Sequence, residues 1–153
     1  MVASLRLDGH FYNLLSDNYY RFVGEPLVDS SIARVDAVRW LYEDAPFCVL
    51  VHNSDADPKF IYANRTAQHC FESDWDRMTS LPSRLSAEHP NRSERERLLE
   101  SVRLYGFAKG YRGLRISSSG RRFWISDVTV WNLIDSNGVF HGQAATYYNW
   151  EDA

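Results

Sequence analysis

Asn137-Gly138 closes a four-residue turn, Asp135-Ser136-Asn137-Gly138, between two long apolar-rich stretches, Arg122 to Ile134 and Val139 to Trp150. An Asn-Gly pair accepts the positive φ angles of a tight hairpin at little steric cost, so the two stretches are read as antiparallel neighbours. A second turn, Ser117-Ser118-Ser119-Gly120, joins the long strand to an earlier one, Tyr111 to Ile116. Alternation along the long strand sets Trp124, Ser126, Val128 and Val130 on one face. It sets Phe123, Ile125, Asp127, Thr129 and Trp131 on the other. Both faces carry large apolar groups, so the sheet is expected to be covered on both sides.

The upstream segments supply the rest of the sheet and its covers. Phe47 to His52 is an almost continuous apolar run, Asn53 to Pro58 is dense in turn formers, and Phe60 to Tyr62 is the returning strand. Asn64 is placed to cap a short helix carrying Ala67, Cys70 and Phe71. Residues 73–92, with Pro82 and Pro90, predict single helical turns. Ser93 and Glu96 read as a capping box for a helix whose apolar face is Leu98, Leu99, Val102 and Tyr105. Before all of these stands a helical front, residues 10–45. Its first helix carries Phe11, Leu14, Leu15, Tyr19 and Phe22. Its second is capped by Asp29 or Ser30, with Ile32, Val35, Val38 and Leu41 or Tyr42 on one stripe. The order predicts an α+β fold: a five-stranded antiparallel sheet, short helices on one face, and N-terminal flanking helices available for the other.

Composition limits what such a fold does. At 153 residues the chain is one domain. Its 5 Trp, 9 Tyr and 8 Phe must fill a core, line a pocket or cover an interface. A net charge of −3 gives no basic excess for phosphate-driven binding, so nucleic acid is not an expected partner. No run approaches the roughly 20 apolar residues of a membrane span, and Met1 to His10 lacks an apolar signal core. A cytoplasmic protein is the expectation. Cys48 and Cys70 have no metal-ligand spacing and read as buried thiols.

Several blocks of residues 39–150 together resemble the MEKHLA domain, a PAS-like family that occurs as a small stand-alone bacterial protein. The first blocks are Trp40-Leu41-Tyr42-Glu43, Leu50-Val51-His52-Asn53 and Asp57-Pro58-Lys59-Phe60-Ile61-Tyr62-Ala63-Asn64. Next come Leu81-Pro82-Ser83-Arg84-Leu85-Ser86-Ala87-Glu88 and Glu94-Arg95-Glu96-Arg97-Leu98-Leu99. The last are Gly113-Leu114-Arg115-Ile116-Ser117, Gly120-Arg121-Arg122-Phe123, Val130-Trp131-Asn132-Leu133-Ile134-Asp135 and Gly142-Gln143-Ala144-Ala145. The resemblance implies a PAS-like fold, with residues 1–38 as a two-helix flank and 39–153 as the domain proper. It also implies a sensory or protein-interaction module with a sheet–helix cavity for a small molecule. Such a module acts through a partner protein or by forming a homodimer.

The pocket candidates are His52, Tyr62, Asn64, His69, Arg84, Trp124, Thr129, Trp131 and Gln143. A filled core with satisfied polar tips is the competing reading. Tyr19, Tyr20 and Trp40 are candidates for a dimer surface. The group Arg112, Arg115, Arg121 and Arg122 reads as a solvated hairpin pairing with acids such as Asp127, and Glu94 to Arg97 as a solvated helix start. His52 with Asp55 and Asp57 is a thin set for a metal, and none is assigned. His69 and Cys70 are adjacent on a helix and point about 100° apart, which disfavours a catalytic pair. No cofactor is identified: the long helix, read as Ser93 to Tyr105, lacks the histidine of haem-binding PAS relatives, and the chain lacks the Asn-Cys-Arg motif of flavin photosensors. The alternative function is a small α+β enzyme doing acid–base chemistry through His52, Asp127 or Tyr62. Enzyme activity is thereby left open, with the binding module preferred.

Overall fold

The computed structural model describes residues 4–153; the start of the helical flank, residues 1–3, lies outside the described residues. Two helices come first, α1 (Gly9–Val23) and α2 (Arg34–Glu43). The strands β1 (Cys48–Asn53) and β2 (Phe60–Ala63) follow. Then come α3 (Arg65–Cys70), α4 (Trp75–Met78), a 3₁₀ turn (Ser83–Ser86) and the long helix α5 (His89–Tyr105). The chain ends with β3 (Phe107–Ile116), β4 (Arg122–Ile134), β5 (Phe140–Tyr147) and β6 (Asn149–Asp152). The sheet runs β2-β1-β5-β4-β3, antiparallel throughout, and β6 adds to the first half of β4 beyond β5. The expected last strand is thus two strands, broken at the exposed Tyr148.

Strict alternation along β4 fails at Asp127. That residue has φ +52°, and four residues of β4 (Ile125 to Val128) oppose three of β3 (Tyr111 to Gly113). The extra residue is a bulge, and a bulge reverses the phase of a strand. Phe123 and Ile125 therefore share the inner face with Val128 and Val130. Trp131 and Leu133 face outward. Trp124 points away from the inner cluster and carries the Arg112 guanidinium 3.9 Å above its ring.

Two cores result, one on each side of the sheet. The outer core joins Leu15 and Tyr19 of α1 and Leu41 of α2 to Val49, Val51, Tyr62, Trp131 and Leu133. The inner core joins Ala67, Cys70 and Met78 of the short helices and Val102 of α5 to Leu50, Phe123, Val128 and Tyr147. Residue 38, the expected end of the flank, falls within α2, whose Leu41 is in the outer core.

Local chemistry explains most element ends. Asp8 caps α1 by accepting from Phe11 N–H at 2.9 Å. Asn64 caps α3 as expected: its Oδ1 accepts from Ala67 N–H at 3.1 Å and from Val49 N–H at 3.0 Å. Its Nδ2 donates to the carbonyls of Leu41 (3.0 Å) and Phe47 (2.9 Å). Two expected caps are not used. Asp29 accepts from Ser31 N–H in a turn, and α2 begins only at Arg34, which leaves Val35 85% exposed and off the buried stripe. Helix α5 begins at His89 instead of after Ser93, because Pro90 in the first turn needs no N–H partner and starts the helix early.

Candidate ligand cavity

The inner sheet face and α5 enclose a cavity of about 50 Å³. His52 reaches it from β1, Gln143 from β5, Tyr111 and Arg115 from β3, and Arg95 from α5. Two glycines shape it. Gly142 has φ +140°, and a Cβ there would lie 2.0 Å from the His52 carbonyl oxygen, so only glycine lets β1 and β5 close beside the His52–Gln143 pair. Gly113 lies between Tyr111 and Arg115 on the same face of β3. A Cβ there would lie 2.4 Å from the Tyr111 hydroxyl and 2.8 Å from an Arg115 nitrogen, so the missing side chain is the space those groups occupy.

One polar chain orders the β1 side. Gln143 Nε2 donates to the Leu99 carbonyl (2.9 Å) and to Asn132 Oδ1 (3.1 Å). That fixes Gln143 Oε1 toward His52, so His52 Nε2–H donates to it at 3.1 Å. Asn132 Nδ2 donates in turn to the carbonyls of Val102 and Arg103 at the end of α5. The His52 pKa is lowered to about 4, first by burial and then by the Arg95 charge, against the raising effect of Gln143. The imidazole is neutral at pH 7.

The other side holds two buried cations. Arg95 is 7% exposed and Arg115 is 6% exposed. Arg115 donates to the Tyr111 hydroxyl at 3.2 Å and to the Leu114 carbonyl at 2.9 Å. The Tyr111 hydroxyl in turn donates to Glu94 Oε2 at 2.8 Å. Neither guanidinium is ion-paired to a carboxylate among the described residues. The Arg95 pKa falls to about 10, through desolvation first and the Arg115 charge second. It stays cationic at neutral pH.

Arg95 also lines a surface groove of about 310 Å³ with His52, Leu99 and Gln143. Across that groove stand Arg84 and the β1–β2 turn. The same four residues therefore form the wall between cavity and exterior.

Of the nine pocket candidates, His52 and Gln143 line the cavity and Arg84 lines the groove, where it pairs with Asp57 at 3.1 Å. Asn64 spends all its hydrogen bonds on backbone groups. His69 is exposed on α3. Tyr62, Thr129 and Trp131 are buried away from the cavity lining; the Tyr62 and Trp131 rings sit in the outer core, and Trp131 Nε1 donates to the Leu15 carbonyl at 3.2 Å. Among the dimer candidates, Tyr19 packs edge-on against Trp131 at 4.8 Å and is buried, Trp40 is half-buried against Phe47, and Tyr20 is exposed.

The arginine group divides. Arg121 bridges Glu72 and Asp152, Arg122 pairs with Glu88, and Arg112 with Glu151. Asp127 takes part in none of these pairs. Arg115 is inside, and so is Arg95, which a reading by charge puts on a solvated helix start. Arg95 stands three and four residues before Leu98 and Leu99 and seven before Val102, which is the spacing of the apolar face. That periodicity is the signal that locates it. Cys48 and Cys70 are both buried, and the Cys70 sulfur lies 3.5 Å from the Tyr147 hydroxyl.

The MEKHLA domain family model matches residues 9–152, from the first residue of α1 onward. Among curated proteins there is no match. The fold is similar to that of the PAS domain of a protein from Colwellia psychrerythraea (TM-score 0.65, 11% identity, 79% of this chain and 98% of that one). It is also similar to a light-oxygen-voltage domain studied with a flavin analogue (TM-score 0.59, 13% identity, 82% and 86%). A third similar structure is the light-oxygen-voltage domain of the Erythrobacter litoralis EL346 blue-light activated histidine kinase (TM-score 0.55, 19% identity, 71% and 96%). No helix among the described residues is long and apolar enough to cross a membrane. With nearly the whole chain matched and the sheet and helices of a PAS domain in place, this chain belongs to the MEKHLA domain family.

Proposed function

We propose that the chain is a PAS-like sensory or protein-interaction module that takes a small molecule into the sheet–helix cavity and signals through a partner protein or by dimerisation. The observation that carries this reading is the wall shared by cavity and groove, where a single layer of His52, Arg95, Leu99 and Gln143 stands between solvent and the buried polar groups. A site for binding fits these groups better than a site for catalysis. The acid–base candidates do not converge: His52 faces the cavity, Tyr62 lies in the outer core and Asp127 is exposed at the bulge. A general acid or base has to reach the same substrate atoms as its partner.

A flavin is a poor fit. Ligand pockets of drug size measure about 300–1,000 Å³, and a cavity of about 50 Å³ does not admit an isoalloxazine ring without displacing its walls. For self-association the exposed rings Tyr20 and Tyr148 are the available aromatic surface, with Trp40 at its margin. Native mass spectrometry of the purified chain, followed by thermal denaturation with a metabolite library, tests the ligand half of the proposal. A retained molecule or a raised melting temperature supports it; no retained mass and no shift overturns it. Absorption near 450 nm in the purified protein would overturn the rejection of flavin.

A further inference from the structure

Buried arginines without a carboxylate partner are costly, because desolvation removes hydration that no counter-ion replaces. This cavity holds two of them, from α5 and β3, facing one space. Arg115 already reaches Glu94 through the Tyr111 hydroxyl, while Arg95, whose charge Glu96 offsets in part, makes no ion pair among the described residues. Gly113 keeps the Tyr111 and Arg115 heads in place by leaving their space unfilled. The rest of the lining is apolar, with Leu50, Phe71, Leu98, Val128 and Val130 among it.

We infer that the cavity is a receptor site for a small organic monocarboxylate, its carboxylate held by Arg95 and Arg115 and its apolar body held between the sheet and α5. This rests on the proposal that the cavity takes a small molecule, and names the class of that molecule. A guanidinium matches a carboxylate with two parallel N–H···O bonds, so a pair of guanidiniums favours an oxyanion over a halide. Apolar walls favour an organic acid over inorganic phosphate. His52, neutral and held by Gln143, places its ring beside the anion site without adding a third positive charge. Arg95, in the wall between groove and cavity, is the first of the two cations that an entering acid meets.

The test is thermal denaturation of the full chain with acetate, butyrate, hexanoate and benzoate. The matched alcohols, inorganic phosphate and sulfate are run at equal ionic strength. Acetate or butyrate at about a hundred times its Kd is expected to raise the Tm by about 5–10 °C, and hexanoate and benzoate, which exceed a cavity of about 50 Å³, should raise it less. The alcohols should leave the Tm unchanged. Arg95→Met and Arg115→Met should remove the acid response, and Arg95→Met should leave the ligand-free Tm equal or higher, since it deletes a buried charge without an ion partner. If either variant does not fold, Arg95→Lys keeps the charge and loses the fork, and should weaken acid binding at least tenfold. Three results overturn the inference: no acid in the series shifts the Tm, the alcohols shift it as much as the acids, or phosphate and sulfate do. A neutral or cationic library compound that binds while every acid fails would overturn this inference and leave the proposed function standing. No binding of any kind would remove both.

Discussion

The two faces of the central sheet are built to opposite specifications. On the outer face, α1 and α2 lay Leu15, Tyr19 and Leu41 against Val49, Val51 and Trp131, and the Trp131 indole finds the Leu15 carbonyl. On the inner face, at similar burial, Arg95 and Arg115 are without ion partners and His52 is held neutral. Packing quality is therefore not what separates the faces; buried charge is. The outer layer leaves one neutral acceptor, Asn18 Oδ1, without a hydrogen bond, whereas the inner face buries two cations without ion partners. On the proposed reading, that face gives up stability for recognition.

That contrast is open to measurement. The largest effect is expected on the outer face. Leu15 is fully buried, and Leu15→Ala should lower unfolding stability by about 3–5 kcal/mol in urea titration, whereas Arg95→Met should not lower it. Equal losses at the two positions would break the contrast.

Next in size is the acid limb of the stability curve. The folded pKa of His52 is about 4, below the 6.5 of an unperturbed imidazole. Between those values the unfolded chain binds a proton that the folded chain does not. Stability is therefore fully present above pH 6.5 and falls as the pH drops through 6.5 toward 4, by about 3 kcal/mol in total. Urea midpoints recorded from pH 4 to pH 7.5 should show this fall, and His52→Gln should flatten it.

A smaller effect is expected at Gly113. Gly113→Ala pushes only the ends of the Tyr111 and Arg115 side chains, so the loss should be about 1 kcal/mol, roughly that of a hydrogen bond. Its acid response in thermal denaturation should fall by much more than its stability does. The smallest effect is the control: Val35 is 85% exposed, and Val35→Ser should stay within about 0.5 kcal/mol of the parent.

These positions also mark what a reader of the sequence can and cannot extract. The hairpin at Asn137-Gly138, the cap at Asn64 and the order of helices and strands follow from local chemistry, and the structure has them. The phase of β4 does not follow, because alternation carries no sign of a bulge and Asp127 is a residue that takes left-handed φ without announcing it. Trp124 and Trp131 are accordingly read toward a pocket that neither ring enters. The start of α5 is obscured by two competing signals, a Ser93/Glu96 box and Pro90 in the first turn, and tertiary context selects the proline. The cavity cations are hidden for another reason. Charge argues for solvent and periodicity argues for the core, and at Arg95 periodicity prevails. His52 and Gln143 are legible because they are polar residues inside otherwise apolar strands.

The Asn64 amide has a mechanical consequence. Its four hydrogen bonds tie the last turn of α2, the entry to β1, β1 itself and the first turn of α3 to one side chain. Helix α3 packs in the inner core and α2 in the outer one. The edge of the sheet is thus a joint between two layers, and Gln68 of α3 reinforces it by donating to the Tyr42 hydroxyl of α2 at 2.9 Å. A shift of α3 has to drag α2 with it or break the joint.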